Sequence, residues 1–280
     1  PGGPSMPKLT TRQLLGRHIT PFAISFASLT ILLLASDGAR RVLDLRERGF
    51  AAGRMVEALL LGVPHTVALT IPMAVYLAVL LTFTRLGAEG LLATARRERH
   101  GVRRLVAPVL GATAVIAALT FVSNAELVPR ANARLSIVLS GAPVMVDRTM
   151  TLGELREAAQ TAQAATGADA ALRAAGYQVE IQKKFALAAA CVFLALFGAS
   201  AAIRFPRGGI GLVLGASATV FIGYYILLIM GETLAERQGL SPLVAMWSAN
   251  AILLAVALLL VRRPRRFGPT GGIETLAING

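Results

Sequence analysis

The sequence has 280 residues, 55% of them hydrophobic and only 15% charged, with a mean hydropathy of +0.65. Soluble domains carry roughly 25% charged residues, so this chain lacks the charged skin of a soluble fold, and its composition argues against a soluble hydrolase or kinase. The 28 Lys and Arg against 15 Asp and Glu give a net charge of +13; sorted by membrane side, this excess does not point to nucleic acid as a partner.

In chain order, Pro1 to Ser5 precede Met6 and read as upstream sequence, and Lys8, Arg12 and Arg17 then lead into a first apolar window at 21–37. No small-residue cleavage site follows that window, so it reads as an uncleaved first span rather than a signal peptide. Further windows at 60–83, 105–123, 185–203, 209–230 and 243–261 are each low in charge and near the length of about 20 apolar residues that a spanning helix needs. No period-two alternation of the β-barrel kind is visible. The expected fold is an all-α membrane protein: six transmembrane helices with a small, mostly helical periplasmic insert between helices 3 and 4.

With the N-terminus placed in the cytoplasm, the inner segments hold 15 basic and three acidic residues, and the outer segments 13 basic and 12 acidic. That bias puts both termini inside. One outer stretch breaks the rule. Arg40, Arg41, Arg46, Arg48 and Arg54 follow the first span, interleaved with Asp37, Asp44, Glu47 and Glu57. No proline or strong turn occurs before Gly49, so the first helix is expected to continue past the bilayer. A guanidinium fork suits a lipid phosphate; the alternative is a solvated face balanced by its own carboxylates. Lys183 and Lys184, at the outer start of the fourth span, either join such a phosphate site or anchor their helix at the interface.

The inner loop after the second span carries Arg85, Leu86, Glu89, Leu91, Leu92 and Arg96. It reads as a short amphipathic helix over about 86–99, with Leu86, Leu91, Leu92 and Ala95 on one side. It fits either a coupling helix that docks on a cytoplasmic partner or an interfacial helix held by anionic headgroups. The segment 124–183 follows the third span, and in it Thr151 and Glu154 have capping-box spacing ahead of an alanine-rich stretch. Beyond Gly176, the β-favouring run Tyr177 to Ile181 leads back to the membrane. Gly211 and Gly215 in the fifth span form a small-residue face, suited to a subunit seam or to packing within the chain. The Gly-rich tail, 264–280, is expected to be disordered.

Chemistry-bearing motifs are absent. No lysine follows a glycine, as a phosphate-binding loop would require, and there is no His-Glu-x-x-His, Cys-x-x-Cys or Gly-x-Ser-x-Gly. His18, His65 and His100 are far apart and read as surface or packing residues. The lone Cys191 lies in an apolar run and can form no internal disulfide. The chain is therefore expected not to be an enzyme, and to have no catalytic residue, no metal and no cofactor; any energy would come from another subunit.

The order and spacing of several short pieces resemble the LptF/LptG permease family, also called YjgP/YjgQ, of the lipopolysaccharide export ABC transporter. In the N-terminal half these are Arg12-Gln-Leu-Leu, Arg41-Val-Leu-Asp44-Leu, Pro64 and Pro72, Arg85-Leu86, Arg103-Arg-Leu105 and Glu126-Leu-Val-Pro129-Arg-Ala-Asn132. In the C-terminal half they are Glu180-Ile-Gln-Lys183-Lys-Phe185-Ala, Arg204-Phe-Pro-Arg207-Gly-Gly, Tyr224-Tyr225 and Gly239-Leu-Ser-Pro242 with Trp247 and Asn250. The likeness spans most of 8–263.

The resemblance implies a permease half in the bacterial inner membrane. It would pair with a second six-helix half around a cavity for lipopolysaccharide or a similar anionic glycolipid, and a cytoplasmic ABC ATPase dimer would drive it. It also implies that basic residues on the outer part of the first helix contact lipid phosphates, with Arg40 and Arg41 at the matching positions, and that helices one and five form the gate between halves. The implied layout is 8–123 for the first three helices with the coupling helix, 124–183 for a reduced periplasmic insert, and 184–263 for the last three helices. Two features depart from the family. Family members usually carry a periplasmic β-jellyroll, which hands lipid to a bridge protein, where this chain has about sixty residues. The family's coupling helix usually has an acid where this chain has Leu91. A non-transporting scaffold, or a degenerate paralogue of such a permease, is the rival reading.

Overall fold

The computed structural model describes residues 10–98, 101–142, 146–205, 210–237 and 239–262. Within them the chain forms nine α-helices, one π turn and one 3-10 turn, and no strand. Six helical stretches are long and apolar enough to cross a membrane: Thr11–Glu47, Ala52–Ala88, Gly101–Ser140, Asp169–Arg204, Val213–Glu236 and Pro242–Arg262. The tail from 264 and His100 lie outside the described residues, as does Gly209, where the fifth apolar window begins.

Residue size decides which helices become the core. Helices α2 (Ala52–Ala88) and α7 (Ala168–Arg204) are the most buried spans. Both are rich in alanine, and Ala74, Ala78, Ala186, Ala190, Ala195 and Ala199 are all buried. Between helices in lipid, close backbone approach replaces the hydrophobic effect as the source of association, and small side chains permit it. Gly198 shows how close: an added Cβ would stand 3.0 Å from the Tyr76 ring. Helix α1 (Thr11–Glu47) packs along α2, and α9 (Pro242–Arg262) packs along α7. Helix α8 (Ile210–Glu236) leans chiefly on α9. Several large apolar side chains of α1 and α8 point outward, among them Ile24, Ile31, Ile222 and Ile226.

The first helix runs unbroken through Arg40 and Arg41 and ends only where Gly49 takes a left-handed backbone. Pro21, Pro64, Pro72 and Pro108 all lie inside helices. Each removes one backbone donor, a loss that neighbouring spans tolerate better than a soluble helix would.

Helix α4 (Gly101–Val122) passes through the π turn Ser123–Leu127 into α5 (Val128–Ser140). The extra residue of a π turn disturbs the regular hydrogen-bond ladder. Lys184 compensates here: its Nζ donates to the Asn124 carbonyl at 2.9 Å, and its side chain is buried.

After the 3-10 turn Asp147–Thr149, helix α6 (Leu152–Ala164) starts on the capping box expected from its sequence. The Thr151 N–H donates to Glu154 Oε2 at 2.7 Å, and the Thr151 hydroxyl to the same oxygen at 2.8 Å. Those bonds hold the Glu154 carboxyl below the usual carboxylate range. Helix α7 starts at Ala168, so the run Tyr177 to Ile181 is helical and the span reaches well beyond the apolar window. Packing overrides the local β preference of those residues, because Tyr177 and Ile181 close a small core with Met150, Leu155 and Ala159 of the α6 region.

Candidate functional site

Two ends of the helix bundle are distinguished by what they carry: α3 (Leu91–Arg97) at one, α6 at the other. Between them, α1 and α8 stand apart over a floor made by α2 and α7. The resulting cleft has a volume of about 260 Å³. Leu29, Leu32 and Leu33 form one wall, Leu214 and Phe221 the other, and Pro72 and Tyr76 part of the floor. Its lining is almost wholly apolar, which suits hydrocarbon and offers little to a soluble polar solute.

Toward the α6 end lies a second cavity, of about 320 Å³, lined by polar groups from α2, the π turn, α5, α7 and α8. Tyr225 contributes to the lining of both cavities. Lys183 Nζ sits 2.7 Å from Glu232 Oε1 and 3.3 Å from Glu180 Oε2. The same Glu232 oxygen lies 3.6 Å from Arg148 Nη2. The Lys183, Glu180 and Glu232 side chains are only 14–16% exposed, so these charges are poorly screened, whereas Arg148 is 71% exposed. Three cations, Arg148, Lys183 and Lys184, face two carboxylates in this lining, leaving one positive charge in excess.

Arg41 occupies a different groove. It lies between α1 and α2 with Asp37, Gly38, Leu59 and Gly62. Its guanidinium covers Gly62, where an added Cβ would stand 3.8 Å from Cζ. The four basic residues of the expected phosphate site therefore do not converge. Gly62 and Thr66 line the Arg41 groove while His65 and Leu69 line the polar cavity, so the two adjoin neighbouring faces of α2, and His65 lies within electrostatic reach of both Arg41 and Lys183. Arg40 is exposed, Arg41 is half-buried, and Lys184 is occupied with the π turn.

The lipopolysaccharide export system permease LptF/LptG family matches this chain over residues 12–142 and 140–263. The chain belongs to this family. No curated protein matches it. It is accordingly a multi-pass membrane permease of lipopolysaccharide export, and a transport subunit rather than an enzyme.

The loop at the α3 end of this LptF/LptG permease holds the residues of the expected coupling helix. Helix α2 ends at Ala88, Gly90 takes a left-handed backbone (φ +77°), and α3 follows. Leu86, Leu92 and Ala95 are buried, and Leu91 packs against the same core. The apolar side of this helix is thus used within the chain. Arg96 donates to the Ile203 carbonyl near the end of α7, and Glu89 pairs with Arg17 at the start of α1. Arg85, Glu89 and Ala93 remain exposed. His18, also near this end, is buried against the Thr82 hydroxyl at 3.2 Å.

Gly211 and Gly215 are exposed, and a Cβ added at either meets no atom within 4 Å. Among the described residues, this face is not used for packing inside the chain. Within α8, close helix approach is instead permitted by Gly231, where a Cβ would stand 2.6 Å from the Ala245 carbonyl oxygen of α9. Sequence reasoning passed over Gly231, Arg148, Glu232 and Asn124. Only Glu232 carried a signal that could have been read: it is a carboxylate just past an apolar window, beside no basic residue of its own helix.

Proposed function

We propose that this chain is one half of an ATP-driven exporter that draws lipopolysaccharide, or a similar anionic glycolipid, out of the inner membrane. The observation that carries this reading is the α1–α8 cleft, an apolar trough with a second, charged cavity beside it toward the α6 end. Acyl chains would lie along the cleft walls, and headgroup phosphates would meet Arg40 and Arg41 on α1 and Lys183 on α7. Lys184 acts through the π turn that it holds. On this reading both termini and α3 are cytoplasmic, 124–183 is the reduced periplasmic insert, and a periplasmic bridge protein would receive the lipid. The exposed small-residue face at Gly211 and Gly215 meets the second six-helix half. A photoreactive residue at Leu33 or Leu214 should capture lipopolysaccharide in cells, and one at Leu119, which points outward from α4, should not. Equal capture at all three positions would reject the cleft as the lipid path.

Coupling to a cytoplasmic ATPase dimer would use the exposed side of the loop, since its apolar side is already buried. Arg85→Glu and Ala93→Glu should abolish co-purification of the ATPase while leaving the folded chain at normal yield. Leu92→Ala should instead lower the yield, because truncating a buried leucine costs about 2–5 kcal/mol. If the unaltered chain recovers no ATPase, the scaffold reading prevails.

A further inference from the structure

The polar cavity contains an anion of its own. Glu232 reaches from α8 into a gap between two cations held by other elements, Lys183 of α7 and Arg148 of the 3-10 turn, and presents one oxygen to both at 2.7 and 3.6 Å. Lys183 does not depend on it alone, because Glu180 sits 3.3 Å away on the same helix. Arg148 is fixed through its main chain, whose carbonyl accepts from Asn132 Nδ2 at 3.1 Å, so its guanidinium is free to change partner. A fourth group faces the cavity with capacity to spare. Asn124 is only 8% exposed, and among the described residues no acceptor meets its Nδ2. A buried amide donor without an acceptor is costly, and an anion in this cavity would supply one.

We infer that the Glu232 carboxylate holds the place of a lipid-headgroup phosphate, which displaces it from between Lys183 and Arg148 and takes the spare donor of Asn124. The inference rests on the reading of this chain as a glycolipid permease. Three observations favour a lipid phosphate. The cavity, at about 320 Å³, is many times the roughly 30 Å³ share of one water. Its lining holds one cation more than carboxylates. Tyr225 lines both this cavity and the apolar cleft beside it, where the acyl chains of the same molecule would lie. A phosphate brings more acceptor oxygens and more charge than a carboxylate, so it can satisfy both cations and the amide together. The exchange moves no covalent bond; one anion replaces another on the same donors.

The test measures binding of lipid A to the full chain in phosphatidylcholine nanodiscs by native mass spectrometry. Bisphosphorylated lipid A, its dephosphorylated counterpart and inorganic phosphate serve as probes. Glu232→Gln removes the internal competitor and should tighten bisphosphorylated lipid A severalfold, while leaving the dephosphorylated lipid unchanged. Lys183→Met and Arg148→Gln should each weaken bisphosphorylated lipid A by about tenfold, the worth of one charge-assisted hydrogen bond. Arg148 is largely exposed, so its variant reports on the site even if Glu232→Gln disturbs folding. Unchanged or weaker binding by a folded Glu232→Gln variant overturns the inference, as does unchanged binding by Arg148→Gln. Equal tightening of the dephosphorylated lipid overturns it too. Inorganic phosphate binding as tightly as lipid A would assign the site to free phosphate and overturn the lipid assignment. If the unaltered chain binds lipid A but Glu232→Gln does not tighten it, the permease reading stands and only this site falls. If the unaltered chain binds no lipid A, both fall.

Discussion

Arg40→Glu/Arg41→Glu should abolish photocrosslinking of lipopolysaccharide to the α6 end of α1. Hydrogen bonds to a charged partner are worth about 1.5–3 kcal/mol each, and reversal replaces two attractions with two repulsions. The geometry separates the two residues. Arg40 is exposed and its replacement touches no packing, whereas Arg41 covers Gly62 in a groove shared with Asp37. Glu at position 41 would lie one helical turn from Asp37, and like charges at that spacing disfavour the helix by a few tenths of a kcal/mol. That penalty is small against the expected loss of lipid contact. Arg40→Glu alone should therefore give a clear partial loss with unaltered thermal stability. Unchanged crosslinking in the double variant would remove this helix end from the phosphate site, whatever the polar cavity does.

The second large effect is structural, and it falls on a glycine outside the sequence-predicted face. Gly231→Ala should destabilise the chain by about 1–3 kcal/mol, the usual cost of forcing extra volume into a packed contact. The added methyl would meet the backbone oxygen of Ala245 at 2.6 Å, and a main-chain atom cannot swing aside. Helices α8 and α9 must then separate, and α9 is the chief support of α8. Gly211→Ala and Gly215→Ala make the contrast, since neither added Cβ meets an atom within 4 Å among the described residues. Both should leave thermal stability within about 0.5 kcal/mol, as surface substitutions do, yet weaken recovery of a second permease half in co-purification. Thermal unfolding in detergent and paired pull-downs measure the two effects. Loss of stability at Gly215, or none at Gly231, would contradict this division of roles.

The six spans, the all-helical fold, the long first helix and the α6 capping box were legible in the sequence, because each depends on local pattern: apolar run length, charge placement, an uninterrupted helix, or a four-residue cap. The family was legible as well, through the order of short pieces across most of the chain. Contacts between distant residues were not. Leu86 and Leu92 read as one docking face but both belong to the chain's own core: Leu86 is still part of α2, and the turn at Gly90 brings Leu92 of α3 back to the same cluster. Lys183 and Lys184 are neighbours in sequence and opposite in role. The side chains of successive helical residues diverge by about 100°, so one meets Glu232 across a cavity while the other is buried on the π turn. Run length and charge determined which segments cross the bilayer. Tertiary packing alone decided which basic residues are engaged inside the chain, because that depends on carboxylates and carbonyls brought close from other helices.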